Sequence, residues 1–292
     1  MPQLKVGLPS GSLQESTFNL FARAGYRIRA GYRSYTPSID DPELEGLLLR
    51  AQEMAHYVER GVLDVGLTGK DWILENEADV VEIAELGYSK TTSQAARWVV
   101  AVPEDSEVKT IADLNGKRVA TELVSVTKAW LKDQGVDAEV EYSYGATEAK
   151  VRVAGLVDAI VEITETGSSI RANRLRIIDT VLETTTRFIA NREAWADPWK
   201  KEKAQRIATL LVGAFQAEDK VGLKMNVLRD DLDTVVNQLP ALKNPTISNL
   251  LDQSWVAIEV IVDESTVRDI IPLLMDAGAT GIIEYPLNKV IY

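Results

Sequence analysis

The sequence predicts an α/β protein of two lobes, each a mostly parallel sheet flanked by helices, followed by a compact βαββαβ module. Three observations lead there. Short apolar runs alternate with amphipathic stretches through the first two thirds of the chain, the alternation restarts near Ala95, and beyond residue 217 its rhythm changes. Alternating β and α units favour a parallel sheet with helices on both faces. The 292 residues correspond to about two domains at roughly 150 residues each. A hydrophobic share of 46% is ample for packed cores.

In the first lobe, Leu4–Leu8 reads as a strand that ends in Pro9-Ser10-Gly11-Ser12. A helical pattern follows from Leu13 to Ala24, with Phe18, Leu20 and Phe21 apolar and Gly25 as its stop. Leu47–Leu49 is a short apolar run, Gln52–Arg60 a helix closed by Gly61, and Val62–Leu67 the next strand. The second lobe has strands at Trp98–Val102, Arg118–Thr121, Ala138–Tyr142 and Asp158–Ile163. Between them lie a helical turn at Ile111–Leu114 and helices at Thr127–Gln134 and Thr147–Val153. Thr184–Ala190 carries the chain back to the first lobe, and Asp197–Gln216 is a long linking helix with Pro198 in its first turn. Two lobes joined by two crossings make a hinged cleft, the usual place for a small ligand.

The last part reads Val221–Val227 strand, Asp230–Gln238 helix, Pro245–Leu251 extended, Trp255–Val262 strand, Ser265–Ala277 helix, and Gly281–Tyr285 strand. That is the ferredoxin-like order. A module of this size appended to a complete two-lobed unit reads as regulatory or oligomeric. The expected domains are residues 1–92 completed by 181–216, residues 93–180, and residues 217–292.

Composition removes whole classes of chemistry. There is no cysteine and a single histidine, His56. Thiolate catalysis, disulfides, Cys-ligated metals and two-His metal motifs are therefore excluded. His56 has no Ser or Asp motif around it and reads as structural. Met1–Leu13 has no basic segment leading into a long apolar stretch, and no uncharged stretch is long enough to span a membrane, so the expectation is a cytoplasmic protein with no membrane contact. The net charge of −12 argues against nucleic acid as a partner, because phosphate-backbone binding needs a Lys/Arg surface. A local nest can still hold an anionic substrate.

Chemistry concentrates in a few junctions. In Asp158–Ile170 an apolar strand runs into Thr164-Glu165-Thr166-Gly167-Ser168-Ser169 and then a helical pattern. Amides and hydroxyls converging there suit a phosphate monoester, or simply make a capped strand-to-helix turn. The loop around Gly11 and Ser12 has the same two readings. Lys70 and Asp71 follow a strand, where open α/β sheets bind ligands; the spacing of Gly66 and Gly69 is not that of a P-loop. Glu148, at a helix start after Tyr144-Gly145-Ala146-Thr147, either faces a metal-bound hydroxyl or caps its helix. Arg50 closes an apolar run, a costly place for a charge without an anionic partner. Its partner is either a triphosphate or Glu53.

In order, these pieces resemble the long form of the ATP phosphoribosyltransferases, which open histidine biosynthesis. The resemblance rests on Leu8–Leu13, Gly61–Gly69, Gly116–Thr121, Gly145–Glu148, Asp158–Ile170, Asn244–Ile247 and Trp255–Ile258, and it spans essentially the whole chain. It implies a two-lobed, periplasmic-binding-protein-like catalytic unit and a magnesium (Mg2+)-dependent reaction. In that reaction ATP and phosphoribosyl diphosphate give phosphoribosyl-ATP and diphosphate. By the same resemblance Glu165, Thr166, Gly167, Ser168 and Ser169 cradle the 5-phosphate, and Glu148 and Asp158 serve the ribose and the metal. Arg50 joins them as a catalytic residue. Gly11, Ser12, Lys70 and Asp71 line the ATP and diphosphate region. The C-terminal domain is implied to bind histidine as an inhibitor through Asn226, Thr246 and Gly281 and to assemble a homohexamer.

Two departures stand out. Ser10 occupies a loop position that usually carries lysine, so either another cation such as Lys70 takes over or turnover is reduced. Asn226 stands where some relatives have an acidic residue or histidine. The implied chemistry needs no dedicated base, because adenine N1 is a neutral nucleophile and diphosphate on magnesium a good leaving group; in-line placement and charge handling suffice. The same architecture also serves small-anion receptors, so fold alone does not choose between enzyme and receptor.

Overall fold

The computed structural model describes residues 2–88, 95–153, 155–240 and 245–292. Asn244 and the expected 92/93 boundary lie outside them. The chain forms two compact units, one up to Val212 and one from Gly213 to Tyr292.

In the first unit the chain runs through β1 (Leu4–Ser10), α1 (Gln14–Ala24), a short ribbon of β2 (Ile28–Arg29) and β3 (Ser38–Ile39), and β4 (Leu44–Arg50). It continues through α2 (Ala51–Glu59), β5 (Val65–Gly69), α3 (Lys70–Glu75) and β6 (Val81–Leu86). The second lobe holds β7 (Ala96–Pro103), β8 (Arg118–Thr121), α4 (Val124–Asp133), β9 (Glu139–Tyr142), α5 (Thr147–Lys150), β10 (Ala159–Thr164), α6 (Ser168–Ala172) and β11 (Leu175–Thr184). Then β12 (Thr186–Ala190), α7 (Arg192–Ala196) and α8 (Pro198–Gln216) follow.

Each lobe is built on one five-stranded sheet, ordered β4-β1-β5-β12-β6 in the first and β11-β7-β10-β8-β9 in the second. β1 runs parallel to β4 and β5, and β8 parallel to β9 and β10. The sheets are less uniformly parallel than expected. β12 is antiparallel to both its neighbours, and so is β7. The reason is topological: a strand arriving from the other lobe enters at the cleft end and must run against strands that leave towards it. In β7, Trp98, Val100 and Val102 pack into one core while Val99 and Ala101 pack into another on the opposite face. Covering both faces is why the run is apolar without alternation.

Three local expectations shift. The strand expected from Val62 starts at Val65, because Asp64 turns back to accept the Lys5 amide at 2.9 Å and the Lys200 ammonium at 2.7 Å. The helix expected over Thr147–Val153 ends at Lys150. β11 is a ten-residue strand where the sequence suggests none. It lies at a sheet edge with two register shifts, and Arg176, Asp179 and Glu183 break its apolar pattern. Half-exposed edges carry charge freely, which hides the strand period. Among the described residues no helix is long and apolar enough to cross a membrane.

The second unit has β13 (Lys220–Leu228), α9 (Leu232–Val236), β14 (Thr246–Asn249), β15 (Trp255–Asp263), α10 (Glu264–Asp276) and β16 (Thr280–Pro286). Its antiparallel sheet is ordered β14-β15-β13-β16, the ferredoxin-like arrangement the element order predicts. Val221, Leu223, Met225 and Val227 of β13 and Val256, Ile258, Val260 and Val262 of β15 face Val235 of α9 and Val267, Ile270 and Leu274 of α10. The period of two leaves Lys224, Asn226, Glu259 and Ile261 on the opposite sheet face.

Candidate active site

The carboxyl ends of β1, β4 and β5 in one lobe and of β8 and β10 in the other border one cleft of about 560 Å³. Its lining includes Ser12, Arg50, Asp71, Glu148, Glu165, Thr166, Ser168 and Ser169, residues the sequence singles out from five separate stretches. Open α/β sheets bind ligands at this end of their strands.

The loop after β10 is shaped by its own hydrogen bonds. The Gly167 amide donates to Thr164 Oγ1 at 2.8 Å, and Gly167 has φ +74°. That left-handed conformation favours glycine. A side chain there would also meet the Arg171 guanidinium, 2.9 Å from the position of its first carbon. Thr166, Ser168 and Ser169 stay at the cavity wall, and the amides opening α6 have no acceptor within the helix. The loop thus offers hydroxyls, amides and a nearby guanidinium to an oxyanion.

Opposite it, Ser10 and Arg50 are register partners at the ends of β1 and β4. Gly11, at φ +83°, lies against the Arg50 guanidinium; a first side-chain carbon would sit 2.8 Å from Nη1. Arg50 is exposed at the open end of its strand rather than held in a buried run, and among the described residues no ion pair joins it to Glu53. It is the cation beside Ser10. Lys70 is not: its ammonium pairs with Glu82, and it does not line the cleft.

Asp71 lines the cleft floor but is 2% exposed and fully engaged. Its carboxylate accepts from Trp98 Nε1 at 2.7 Å and Thr184 Oγ1 at 3.0 Å, tying α3 to β7 and to the crossing into β12. Burial pushes its pKa up against those hydrogen bonds. Trp72 and Trp98 pack edge to face beside it with centroids 5.9 Å apart. Two further contacts join the lobes. Glu75 accepts from the Ser125 and Val126 amides at 2.9 and 3.0 Å, and Gln52 donates to Glu122 at 3.3 Å.

Asp158 is not in the cleft. It precedes β10 at the amino end, where its carboxylate accepts the Arg118 amide at 2.9 Å. Six residues of strand separate it from Thr164, about 20 Å. The carboxylate that reaches the cavity from β10 is Glu162, with Glu148 and Glu122 near enough to repel it. Burial, aided by those two charges, raises its pKa to about 7 against donation from Thr147. Sequence reasoning missed Glu162, Glu122 and the tryptophans; the available signal was a single charge inside the apolar run Ala159–Thr164.

Glu148 is delivered by two consecutive left-handed residues, Gly145 at φ +97° and Ala146 at φ +51°, that turn the chain into α5. With Asp158 at the far end of the sheet, the expected Glu148–Asp158 metal pair does not form. Among the described residues no group of three His, Asp or Glu side chains is spaced to hold a metal. The donor set does not fit a metal caged by protein alone.

In the C-terminal unit, Asn226 and Gly281 come together: a first side-chain carbon at Gly281, which has φ +58°, would lie 3.7 Å from Asn226 Nδ2. Thr246 lies apart on β14, paired with Glu259 and separated from β13 by β15.

Comparison with known proteins identifies the family. The ATP phosphoribosyltransferase family matches residues 50–213, and the family described as HisG, C-terminal domain, matches residues 217–289. The ATP phosphoribosyltransferase of Prosthecochloris aestuarii is 59% identical over 99% of this chain and 97% of its own length. That of Pelotomaculum thermopropionicum is 61% identical over 99% of both chains. A solved ATP phosphoribosyl transferase (HisG:HisZ) complex from Thermotoga maritima is similar at 25% identity and a TM-score of 0.61, covering 72% of this chain and 96% of that one. From the family match and the end-to-end match to these relatives, the chain belongs to the ATP phosphoribosyltransferase family, transferases of histidine biosynthesis.

Proposed function

We propose that the cleft transfers the 5-phosphoribosyl group from phosphoribosyl diphosphate to N1 of ATP. The bond from N1 to the sugar's C1 forms as the bond from C1 to diphosphate breaks. The observation that carries this reading is the gathering of Arg50, Ser12, Glu148 and the Glu165–Ser169 loop around one cavity. The loop holds the 5-phosphate by amides and hydroxyls. Glu148 and Glu162 accept hydrogen bonds from the ribose hydroxyls. Arg50 and the Gly11-Ser12 turn face the diphosphate and ATP phosphates, with Arg50 doing the work expected of a lysine at position 10.

Magnesium enters this scheme with the substrate. Glu122, Glu148, Glu162 and Glu165 make the cleft acidic, and a polyphosphate enters such a field favourably only with its charge neutralised. The protein's task is then alignment of N1 with C1 and exclusion of water, which the interlobe contacts support.

The same reading extends to the whole chain. Residues 1–92 with 181–216, and 93–180, form the catalytic domains; residues 217–292 form the regulatory domain. That domain binds histidine near Asn226 and Gly281, with Thr246 at a remove, and assembles a homohexamer. The protein works in the cytoplasm with no nucleic acid or membrane partner. The test is to incubate the full chain with ATP, phosphoribosyl diphosphate and magnesium, following phosphoribosyl-ATP by its absorbance with and without histidine. Turnover that needs both substrates and falls with histidine is expected. Tight binding of one anion without turnover would overturn the reaction.

A further inference from the structure

Behind the cavity, Lys150, Ser143 and Thr147 form a run of hydrogen bonds that ends on the helix packed against the Glu162 strand. Lys150, closing α5, donates from Nζ to Ser143 Oγ at 2.7 Å. Ser143 Oγ and Thr147 Oγ1 are 2.8 Å apart, and the Thr147 hydroxyl favours the charged form of Glu162 against its burial. Ser143 and Thr147 are 0% and 1% exposed, and neither they nor Lys150 line the cavity.

The polarity of this run is fixed by its ends. An ammonium only donates, so Ser143 accepts from Lys150 and has its own proton left for Thr147; Thr147 has its proton left for the carboxylate. Every donor therefore points towards Glu162, and hydrogen bonds aligned in one sense polarise one another. The backbone is committed to this arrangement. The Ser143 amide donates to the Thr121 carbonyl at 2.8 Å, and the left-handed pair Gly145-Ala146 folds Thr147 back over Ser143. Glu162 needs such support, because burial and the charges of Glu148 and Glu122 disfavour its carboxylate.

We propose that Lys150, Ser143 and Thr147 form a positioning relay that fixes the Glu162 carboxylate for the ribose hydroxyls, and so controls recognition of the sugar donor rather than of ATP. The proposal rests on the reading of Glu162 as a ribose contact. Its relay residues touch no substrate and act only through that side chain.

The experiment is steady-state kinetics on the full-length enzyme with each substrate varied separately, alongside thermal unfolding of every variant. Thr147→Val removes the donor while keeping the shape. It is expected to raise KM for phosphoribosyl diphosphate about tenfold, the range for losing a hydrogen bond to a charged group, with KM for ATP unchanged. Thr147→Ser is expected to restore the wild-type value. Lys150→Met is expected to shift the same constant in the same direction by less, and it carries the test if Thr147→Val fails to fold. In the Thr147→Val, Glu162→Gln double variant the effects are expected not to add, as for residues acting in one chain. Unchanged kinetics in Thr147→Val, or an equal rise in both KM values, would overturn the relay. An unchanged KM for phosphoribosyl diphosphate in Glu162→Gln would instead overturn the ribose contact itself.

Discussion

At the scale of the residue, two positions concentrate the chemistry. Gly167 combines a left-handed backbone with close approach of Arg171. Gly167→Ala is expected to cost about 1–2 kcal/mol from the backbone alone, and more at the site, since the Arg171 head must move. Lower thermal stability together with a raised KM for phosphoribosyl diphosphate would bear this out; a change in neither measurement would contradict it. Glu162 yields a pH prediction. Its pKa rises from 4.5 to about 7 on folding, so the folded state holds this proton more tightly than the unfolded chain. The associated stability is fully present below the unfolded value and is lost as pH rises through the folded one. Glu162→Gln removes the burden of ionising the group. The variant is expected to be more stable than wild type at pH 8 by about 3 kcal/mol, with the margin shrinking towards pH 5. Thermal unfolding at the two pH values measures it, and a margin that widens on acidification would refute the assignment.

At the scale of the element, α3 holds the two halves of the cleft together. It contributes Asp71 to Trp98 and Thr184, Trp72 to the second-lobe core, and Glu75 to the first amides of α4. The Glu75 contact is a helix N-terminal cap supplied from the other lobe. Glu75→Ala is expected to cost about 1 kcal/mol, as for loss of an N-cap. In a chain of this size that corresponds to a fall in Tm of about 2–4 °C. Calorimetry checks it, and an unchanged Tm would mean that the cap carries no weight. The same element shows why motif reading goes astray. Lys70 and Asp71 sit where a strand ends near a ligand site, as their spacing suggests, yet one is spent on Glu82 and the other on the interlobe contact. Spacing gives an address for a side chain; it does not give its partners.

At the scale of the whole molecule, net charge and cleft charge agree in sign. The chain carries −12 overall, and four glutamates line the cavity proposed to take polyphosphates. Binding of phosphoribosyl diphosphate is therefore expected to weaken at least about tenfold when magnesium is chelated, the effect of losing about 1.4 kcal/mol of charge neutralisation. Isothermal titration with and without chelator measures it. Equal affinity in both would show that protein cations suffice.

Much of this molecule was legible in its sequence. The run Trp98–Val102 is apolar at every position because both faces of its sheet are covered, and the alternation in Val221–Val227 marks a sheet with one free face. The loop proposed to hold the phosphate announces itself by hydroxyls around a glycine after an apolar strand. These are local signals, written by secondary-structure period and turn chemistry. What only tertiary structure decided is which end of a strand faces the ligand and which polar groups are already taken. Asp158 lies just before the strand that carries Glu162, and four residues of rise put the first at the far edge while the second reaches the cavity. Arg50 rather than Lys70 stands beside Ser10 because parallel pairing sets β4 against β1, a neighbour made by the sheet and not by the chain. Sequence fixes which groups exist and how they are spaced along an element; burial, register and pairing between distant segments determine which of them remain available for chemistry.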